Sequence, residues 1–584
     1  MSCWNMPSLV FIVVMSLFFS LPGYSSAGNE KTVALVMKAL SNPFFSKMEK
    51  GARIFAQENA IQFEVFGVDR ETDIERQIGI VNNLISRGYG AIVIAPADSK
   101  KLVSICKKAI DRGIIVINID NPLHKPTLDQ QGISIPFVGS DNFAGAYMIG
   151  EYVKAKLDGM GRAIVIEGIR GVENADLRKK GFIEAVTAGS SIEIVASESA
   201  NWHTDESLSL TADLLAKHPN IDAIFCANDS MALGAIQAID LMGSLKKIVV
   251  AGYDNIDSVR TEIRNGRIHA TIEQHPELMG EYGVHMAWQR LNGLSIPDNR
   301  STPLDLVTYE HFGKKVAFSI STLRNPFFSI MIQGAKESAD LFGMELIVLD
   351  AENQDAQQLT DMAETLNQKV DLLIVNPTNT SCITPGIEYA NNEDTPVITV
   401  DRKAAGGTVL CHIESDNSQG GKKAAHFLAQ KLGGKGRVIE MEGIPGTSAA
   451  HERGAGFNEA LKQFVEIKIV HRENAHFDRQ TAKAITLQIL KKDQKVDGVF
   501  AHNDNMILGV IDAYEELGIK LPKAMIGFDA IPEALRSIRQ GKLTATIAQK
   551  PQTMGTLAIE TAARYFRGEK IKPLILVGIS LVKN

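Results

Sequence analysis

Polar and aromatic residues alternate where several short apolar segments end in the second half of the sequence. They are Asn325, Phe327, Phe328, Asp401, Arg402, Arg453, Phe477, Asn503, Phe528 and Asp529. Carboxylate, amide and guanidinium groups offer paired donors and acceptors that match vicinal hydroxyl groups, and flat aromatic faces can cover the C–H faces of a sugar ring. This mixture predicts a binding site for a small polar ligand, with a sugar as the best match.

Each of these residues also has a structural explanation. Asp and Asn after strands often cap the next helix, and Phe usually belongs to the core. The run Asn-Pro-Phe-Phe from Asn325 favours a site, because its proline forces an extended entry into a helix and places two aromatics at a strand exit. The adjacent Asp401 and Arg402 would let a buried carboxylate accept hydroxyl protons while its charge stays compensated.

The sequence contains no pattern typical of an enzyme. GxSxG, HExxH, a phosphate loop and a GxGxxG after a strand are all missing from the sequence, so we expect a binding protein with no catalytic residue, no cofactor and no metal. The cysteines after residue 27 are Cys106, Cys226, Cys382 and Cys411, without metal-ligand spacing. Buried free thiols explain them most simply, and a Cys382–Cys411 disulfide is the alternative.

An internal repeat sets the architecture that must position these residues. Val33–Phe45 returns as Val316–Phe328, 283 residues later, and Ala270–Gln274 returns as Ala545–Gln549 at an offset of 275. The two offsets differ because some loops are longer in the first half than in the second. In each half, short β-branched runs alternate with helix-length amphipathic stretches, which predicts parallel α/β sheets with ligands at the carboxyl ends of the strands.

Eight strands are predicted in the first half, and the second half repeats their order. They are Val33–Met37, Phe63–Phe66, Ala91–Ala95, Ile114–Ile119, Ala163–Glu167, Glu193–Ala196, Ala223–Cys226 and Ile248–Ala251.

From Lys314 onward the sequence resembles the ribose-binding family of periplasmic proteins from bacterial ABC importers. The resemblance rests on Ser321–Phe328, Val397–Arg402, Gly446–Arg453, His476–Arg479, Gly527–Asp529 and Ala545–Gln549. It implies sugar contacts at Ser321, Asn325, Phe327, Phe328, Asp401, Arg402, Arg453, Phe477, Asn503, Phe528, Asp529 and Gln549. Ribose is therefore the expected ligand of the second half.

The first half is similar to the D-allose-binding members of that family. The matching contacts are Lys38, Asn42, Phe44, Phe45, Asp120, Asn121, Arg178, Trp202, Asn228, Tyr253, Asp254 and Gln274. Lys38 stands where the second half has Ser321, Asn121 where it has Arg402, and Trp202 where it has Phe477. The cation after the fourth strand is therefore absent, and a cation follows the first strand instead. The indole of Trp202 also offers a larger face for stacking than the phenyl ring of Phe477. We expect a different ligand here, a hexose or a polyol.

The resemblance implies two tandem type I periplasmic-binding-protein domains, each with two doubly wound parallel-sheet lobes joined by a hinge. The expected boundaries are residues 28–312 and 313–584. An apolar run at Leu9–Leu21 followed by small residues at Ser25 and Ala27 predicts a cleaved signal peptide over residues 1–27 and a periplasmic location. An uncleaved anchor is the alternative, because no Lys or Arg precedes the run, which is shorter than the ~20 residues of a membrane span.

The expected macromolecular partner is an ABC permease. The alternative is a chemoreceptor or sensor kinase to which the ligand-bound protein is presented. The net charge of −7 disfavours nucleic acid. A LacI-type regulator would begin with a helix-turn-helix, where this sequence has the apolar run.

Overall fold

The structure, a computed structural model, describes residues 31–243 and 247–583. Its described residues form two compact units, one within Met1–Ile256 and Ile272–Leu306 and the other within Asp257–Thr271 and Val307–Asn584. The predicted signal peptide lies outside the described residues.

The first half of the chain alternates strands and helices. In chain order it contains β1 (Val33–Met37), α1 (Pro43–Glu58), β2 (Phe63–Gly67), α2 (Ile74–Ser86), β3 (Ala91–Ile94), α3 (Val103–Asp111), β4 (Ile115–Ile119), α4 (Lys125–Gln130), β5 (Phe137–Gly139), α5 (Asn142–Lys156), β6 (Met160–Glu167), α6 (Glu173–Thr187), β7 (Ser191–Ser199), α7 (Thr204–Lys217), β8 (Ala223–Cys226), α8 (Asp229–Leu241), β9 (Val249–Ala251), α9 (Asp257–Arg264), β10 (Ala270–Glu273), α10 (Pro276–Leu291), β11 (Asn299–Ser301) and β12 (Asp305–Thr308).

The second half follows a short 3₁₀ helix at Tyr309–His311. It contains β13 (Lys315–Ile320), α11 (Pro326–Phe342), β14 (Glu345–Asp350), α12 (Asp355–Asn367), β15 (Leu372–Val375), α13 (Thr384–Asn392), β16 (Val397–Val400), β17 (Cys411–Ser415), α14 (Asn417–Leu432), β18 (Lys435–Glu442), α15 (Ser448–Leu461), β19 (Glu466–Asn474), α16 (Arg479–Lys492), β20 (Gly498–Ala501), α17 (Asp504–Glu516), β21 (Ala524–Asp529), α18 (Pro532–Arg539), β22 (Ala545–Ala548), α19 (Pro551–Phe566), β23 (Leu574–Val577) and β24 (Ser580–Lys583).

Each half builds two six-stranded sheets. The orders are β11-β5-β4-β3-β1-β2 and β12-β10-β9-β8-β6-β7 in the first half, and β14-β13-β15-β16-β17-β23 and β19-β18-β20-β21-β22-β24 in the second. The central strands are parallel and buried on both faces, as in β3 and β15, because helices cover each side. We call the first sheet of each half with its helices the N-lobe and the second the C-lobe.

Three short connections join the lobes in each half. In the first half the chain passes between the two sheets after β5, β10 and β11, and in the second half after β17, β22 and β23. Several short segments that cross side by side can rotate together while each lobe keeps its own core, which is the geometry of a hinge.

The predicted fold class is confirmed. All eight strands predicted in the first half are present, with ends shifted by up to three residues. The prediction omitted β5, β10, β11 and β12, which are only three or four residues long.

Two further features concern the chain as a whole. Within the described residues, no helix has both the length and the apolar character needed to cross a membrane. Cys106, Cys226 and Cys411 are buried, Cys382 is exposed, and all four are free thiols.

Candidate functional site

Each half contains a cavity lined by residues from both of its lobes, most of which follow strands. The empty space between the lining residues, including its opening to solvent, is about 250 Å³ in the first half and about 240 Å³ in the second.

Nine of the twelve positions predicted in the second half line its cavity. Asn325, Phe327, Phe328, Asp401 and Arg402 come from the N-lobe, and Arg453, Phe477, Asn503 and Asp529 come from the C-lobe. Ala449 also lines the cavity and was not predicted. Ser321, Phe528 and Gln549 are buried but do not reach the cavity wall.

Arg453 is held by three elements of the C-lobe. Its Nε donates to Asn417 Oδ1 at 2.9 Å, and its Nη1 donates to the His502 carbonyl at 2.6 Å and lies 3.6 Å from Asp529 Oδ1. The guanidinium carbon stands 3.9 Å from the centre of the Phe528 ring. Phe528 does not line the cavity itself, but its ring packs against the guanidinium of Arg453 and helps to position it.

The carboxylate of Asp529 has its own support. Gln549 Nε2 donates to Asp529 Oδ1 at 2.7 Å. Burial raises the pKa of Asp529 to about 7, although Arg453 acts in the opposite direction. A ligand that donates hydroxyl protons to this carboxylate would favour its charged form.

Asp401 and Arg402 retain unused hydrogen-bonding capacity. Asn376 Nδ2 donates to Asp401 Oδ2 at 3.3 Å, and Arg402 Nη1 donates to the Pro377 carbonyl at 3.0 Å. Asp401 Oδ1 and Arg402 Nε are buried and have no hydrogen-bond partner among the described residues. These two atoms are therefore available to a polar ligand in the cavity that Asp401 and Arg402 line.

Burial also shifts the ionisation of this pair. It raises the pKa of Asp401, against the effect of Arg453 and Arg402, and it lowers the pKa of Arg402 to about 10. The guanidinium lies between two aromatic rings, 5.3 Å from the Phe328 centroid and 5.6 Å from the Phe477 centroid. The arrangement holds a cation and a carboxylate side by side against flat apolar faces, which suits a polyhydroxylated ring.

Two asparagines in this cavity have structural roles as well. Asn325 Oδ1 accepts from the Phe327 amide at 3.1 Å and caps α11, and Asn503 Oδ1 accepts from the Met506 amide at 2.9 Å and caps α17. Both residues therefore cap helices and also line the cavity.

The position of Phe477 depends on Gly443. A Cβ atom built on Gly443 would lie 2.1 Å from the Phe477 ring, and Gly168 has the same relation to Trp202 at 2.1 Å. No side chain other than hydrogen fits at either glycine while the aromatic ring covers the cavity.

We therefore expect Gly443→Ala to displace Phe477 and to weaken ligand binding in the second half by about tenfold or more, because overpacking forces neighbours to move. Titration calorimetry measures the effect. Gly79→Ala is the control, since a Cβ there meets nothing within 4 Å. Equal affinities for Gly443→Ala and wild type would contradict this role for the glycine.

The cavity of the first half is lined by nine of the twelve predicted residues. They are Lys38, Asn42, Phe44, Phe45, Asp120, Arg178, Trp202, Asn228 and Asp254. Glu71 and Asn174 line the cavity as well and were not predicted. The side chains of Asn121, Tyr253 and Gln274 are buried but do not form its wall.

The C-lobe side of this cavity repeats the arginine arrangement of the second half. Arg178 donates from Nε to Asn142 Oδ1 at 2.7 Å and from Nη1 to the Ala227 carbonyl at 2.8 Å, and Nη1 lies 3.3 Å from Asp254 Oδ1. Burial holds the pKa of Asp254 well above its usual value, against the effect of Arg178. The guanidinium carbon of Arg178 lies 3.9 Å from the centre of the Tyr253 ring, as the guanidinium carbon of Arg453 does from the Phe528 ring.

The N-lobe side differs, because the cation is Lys38. Its Nζ lies 3.3 Å from Glu71 Oε2 and 3.3 Å from Asp120 Oδ2. Burial alone would lower the pKa of Lys38, but Asp120 and Glu71 raise it above its usual value. This ammonium is therefore charged at neutral pH and lies between two carboxylates.

Asn121 turns away from the cavity and bridges the lobes. Its Nδ2 donates to the Pro96 carbonyl at 3.1 Å within the N-lobe, and its Oδ1 accepts from the Asn174 amide of the C-lobe at 3.4 Å. Glu173 adds a second bridge, because its amide donates to Ser99 Oγ at 3.2 Å. The lobes of the first half are in contact, and the residues that line the cavity are buried except for Asn42, which is partly exposed.

Different residues connect the lobes of the second half. The Lys403 amide donates to Ser448 Oγ at 2.8 Å, and Lys403 Nζ donates to Glu452 Oε1 at 2.7 Å. The Thr380 amide donates to the Gly446 carbonyl at 2.9 Å. These contacts hold the closed arrangement at the mouth of the cleft.

We expect Lys403→Ala to weaken ligand binding by about two- to fivefold at low salt and by less at high salt, since partly exposed ion pairs contribute little and are screened. Titration calorimetry at two salt concentrations tests this. Lys422→Ala removes a pair with Glu459 inside the C-lobe and serves as the matched control. A salt-independent loss, or an equal loss in both variants, would refute a role in closure.

The same left-handed backbone positions recur in both sites. The φ angles are 64° at Asp120, 63° at Asp401, 71° at Trp202, 58° at Phe477, 116° at Asp254 and 119° at Asp529. Such conformations are costly for residues other than glycine and concentrate at functional sites. Their recurrence at six cavity residues supports a common binding role.

Among the described residues, no group of three or more His, Cys, Asp or Glu side chains is arranged to hold a metal ion.

Comparison with known proteins agrees with this geometry. The sequence profile of the periplasmic binding protein domain family matches residues 33–295 and again residues 316–570. The matched segments cover most of the chain and correspond to its two halves.

Individual relatives match about one half of the chain at a time. The D-ribose/D-allose-binding protein of Pseudomonas aeruginosa is 39% identical over 306 residues, which cover 51% of this chain and 96% of the relative. The ribose import binding protein of Bacillus subtilis is 40% identical over 266 residues, covering 46% and 86%. A solute-binding protein of an ABC transporter from Actinobacillus succinogenes, solved with bound D-allose, is 34% identical over 48% of this chain and 98% of its own, with a TM-score of 0.46.

Proposed function

Because the chain belongs to the periplasmic binding protein domain family, of which it carries two domains in tandem, we propose that it captures a monosaccharide in each domain and delivers it to an ABC importer. The proposed domains span residues 28–312 and 313–584. In each, ligand binding favours closure of the two lobes, and the closed surface is what the permease recognises.

We assign ribose to the second domain. The carrying observation is the wall formed by Asp401 and Arg402, which line the cavity together with Phe328 and Phe477 and whose Oδ1 and Nε have no hydrogen-bond partner among the described residues. Arg453 and Asp529 complete the polar set from the opposite lobe. The names of the relatives, which include ribose-binding proteins, support the same ligand.

We assign a hexose or a polyol to the first domain. Support comes from its different wall, in which Lys38 lies between Glu71 and Asp120 and the indole of Trp202 replaces a phenyl ring. Trp202 Nε1 is buried and has no hydrogen-bond partner among the described residues, so it is available to a ligand.

The proposed location is the periplasm, reached by a signal peptide over residues 1–27. The names of the family and of its relatives support this location. N-terminal sequencing of the exported protein tests whether residues 1–27 are removed as a signal peptide, and we expect the mature chain to begin after Ala27.

Calorimetric titration of the full chain with D-ribose and with D-allose tests the binding function. We expect saturable binding in which D-ribose occupies the second site with the higher affinity. A folded chain that binds no monosaccharide from a panel of pentoses, hexoses and polyols would overturn the proposal.

A deletion strain distinguishes import from sensing. We expect loss of uptake of the labelled sugar when the gene is deleted, with uptake restored by the wild-type gene. Normal uptake with lost chemotaxis or lost gene induction would instead assign the protein to a chemoreceptor or a sensor kinase.

A further inference from the structure

The walls of the two cavities differ by two hydrogen-bond acceptors that have no counterpart in the second domain. Glu71 and Asn174 line the first cavity, and both are buried. The cavities are otherwise nearly equal in volume, about 250 Å³ and 240 Å³. The difference between the two sites is therefore mainly one of polar groups rather than of space.

Glu71 comes from a loop that is longer in the first domain. Gln77 and Gln358 are equivalent, because each accepts an amide proton and donates to a carbonyl of the loop after the adjacent strand. Val68 precedes Gln77 by nine positions, whereas the equivalent Ala351 precedes Gln358 by seven. The two additional residues bring a carboxylate into the first cavity, and the residue at the same distance from β14 in the second domain, Gln354, is exposed.

Glu71 is a second carboxylate beside Lys38, whose single positive charge Asp120 alone can balance. Lys38 is already compensated by Asp120, as Arg402 is by Asp401 in the second domain. A surplus buried carboxylate is costly unless it accepts hydrogen bonds. Glu71 therefore has acceptor capacity that a ligand hydroxyl group can use.

Asn174 supplies the second acceptor from the opposite lobe. It lies four residues before Arg178, and Ala449 lies four residues before Arg453, so the two positions are equivalent. Asn174 is 3% exposed, and its Oδ1 has no hydrogen-bond partner among the described residues. An unpartnered carbonyl oxygen in a cavity wall is a site for a ligand donor.

We infer that Glu71 and Asn174 bind a hydroxyl group of the first domain's ligand that the second site does not contact, and that they make the first site selective for a hexose over a pentose. The inference rests on the proposed function. D-allose and D-ribose are the appropriate probes, because the hexose carries one more hydroxyl-bearing carbon.

Calorimetry on the full chain carrying Arg453→Ala, which silences the second site, measures the first site alone. We expect Asn174→Ala and Glu71→Gln each to reduce the ratio of D-allose to D-ribose affinity about tenfold, because the first removes an acceptor and the second replaces a charged acceptor by a weaker neutral one. Gln354→Ala, at the equivalent loop of the second domain, should change neither affinity by more than about twofold.

The reciprocal substitution gives an independent readout. Ala449→Asn, in a chain whose first site is silenced by Arg178→Ala, should raise the ratio of D-allose to D-ribose affinity at the second site. Unchanged ratios in both Asn174→Ala and Glu71→Gln would overturn the inference, as would a wild-type first site that prefers D-ribose. If Glu71→Gln binds neither sugar, Asn174→Ala decides by the same ratio. A chain that binds no sugar at either site would instead overturn the proposed function.

Discussion

Arg453→Ala is expected to lower the affinity of the second site by about a hundred- to a thousandfold and to leave the first site unchanged. The guanidinium is 3% exposed and connects Asn417, the His502 carbonyl and Asp529. Removing one partner of a buried charged network costs about 3–5 kcal/mol, because the remaining charge is left uncompensated. Titration calorimetry with D-ribose measures the loss.

Arg178→Ala is the matched control for this prediction. It removes the equivalent arginine of the first domain, with its contacts to Asn142, Ala227 and Asp254. We expect it to silence the first site and to leave ribose binding at the second intact. Wild-type ribose affinity in Arg453→Ala, or an equal loss of ribose binding in both variants, would contradict the assignment of the second site.

Asp529→Asn is expected to abolish tight binding at the second site and, at the same time, to remove a loss of stability that the ligand-free wild type undergoes as the pH rises to about 7. Burial raises the pKa of Asp529 to about 7, whereas an Asp in an unfolded chain titrates near 3.9. The folded form therefore holds this proton more strongly than the unfolded form. The stability that the group contributes is fully present below about pH 4 and is lost as the pH rises to about 7.

Thermal unfolding of the ligand-free chain between pH 4 and pH 8 tests this prediction. The difference in midpoint between Asp529→Asn and wild type should grow in favour of the variant across that range, because asparagine has no charge to bury and can still accept from Gln549. Asp394→Asn is the control, since Asp394 is exposed and sits at a left-handed position that asparagine tolerates. A midpoint difference that does not change with pH would show that Asp529 is not held protonated by burial.

Loss of ligand binding together with a relative gain of stability at neutral pH in Asp529→Asn would show that this residue serves binding at the expense of stability. Such a result would show that burial of this carboxylate lowers the stability of the free protein at neutral pH while the ligand depends on it. Burial also raises the pKa of Asp254, so the same pH dependence is expected of the first domain.

The aromatic and arginine positions could be predicted because they depend on local sequence. Pro43 and Pro326 begin helices directly after Asn42 and Asn325, so the two phenylalanines that follow must lie at a strand exit. Arg178 and Arg453 lie at corresponding turns of equivalent helices. The internal repeat and the resemblance to the ribose-binding family imply these positions without knowledge of the packing.

The direction of Asn121 could not be predicted. It follows β4 as Arg402 follows β16, and sequence equivalence suggests that both side chains enter the cavity. The shorter side chain of Asn121 instead donates to the Pro96 carbonyl and accepts from the backbone amide of Asn174 in the other lobe. Side-chain length and the partners available within reach decide the direction, and both depend on the closed arrangement of the lobes.

The sequence by itself determined the tandem repeat and the alternating α/β order, because these follow from the internal repetition and from hydrophobic periodicity. Its resemblance to the ribose-binding family implied most of the residues that line the two cavities. Only the tertiary structure decided which polar groups remain without partners and which residues complete the walls. Glu71, Asn174 and Ala449 reach the cavities through a longer loop and through closure of the lobes. Such contacts join segments distant in sequence, and their geometry is set by packing rather than by local pattern.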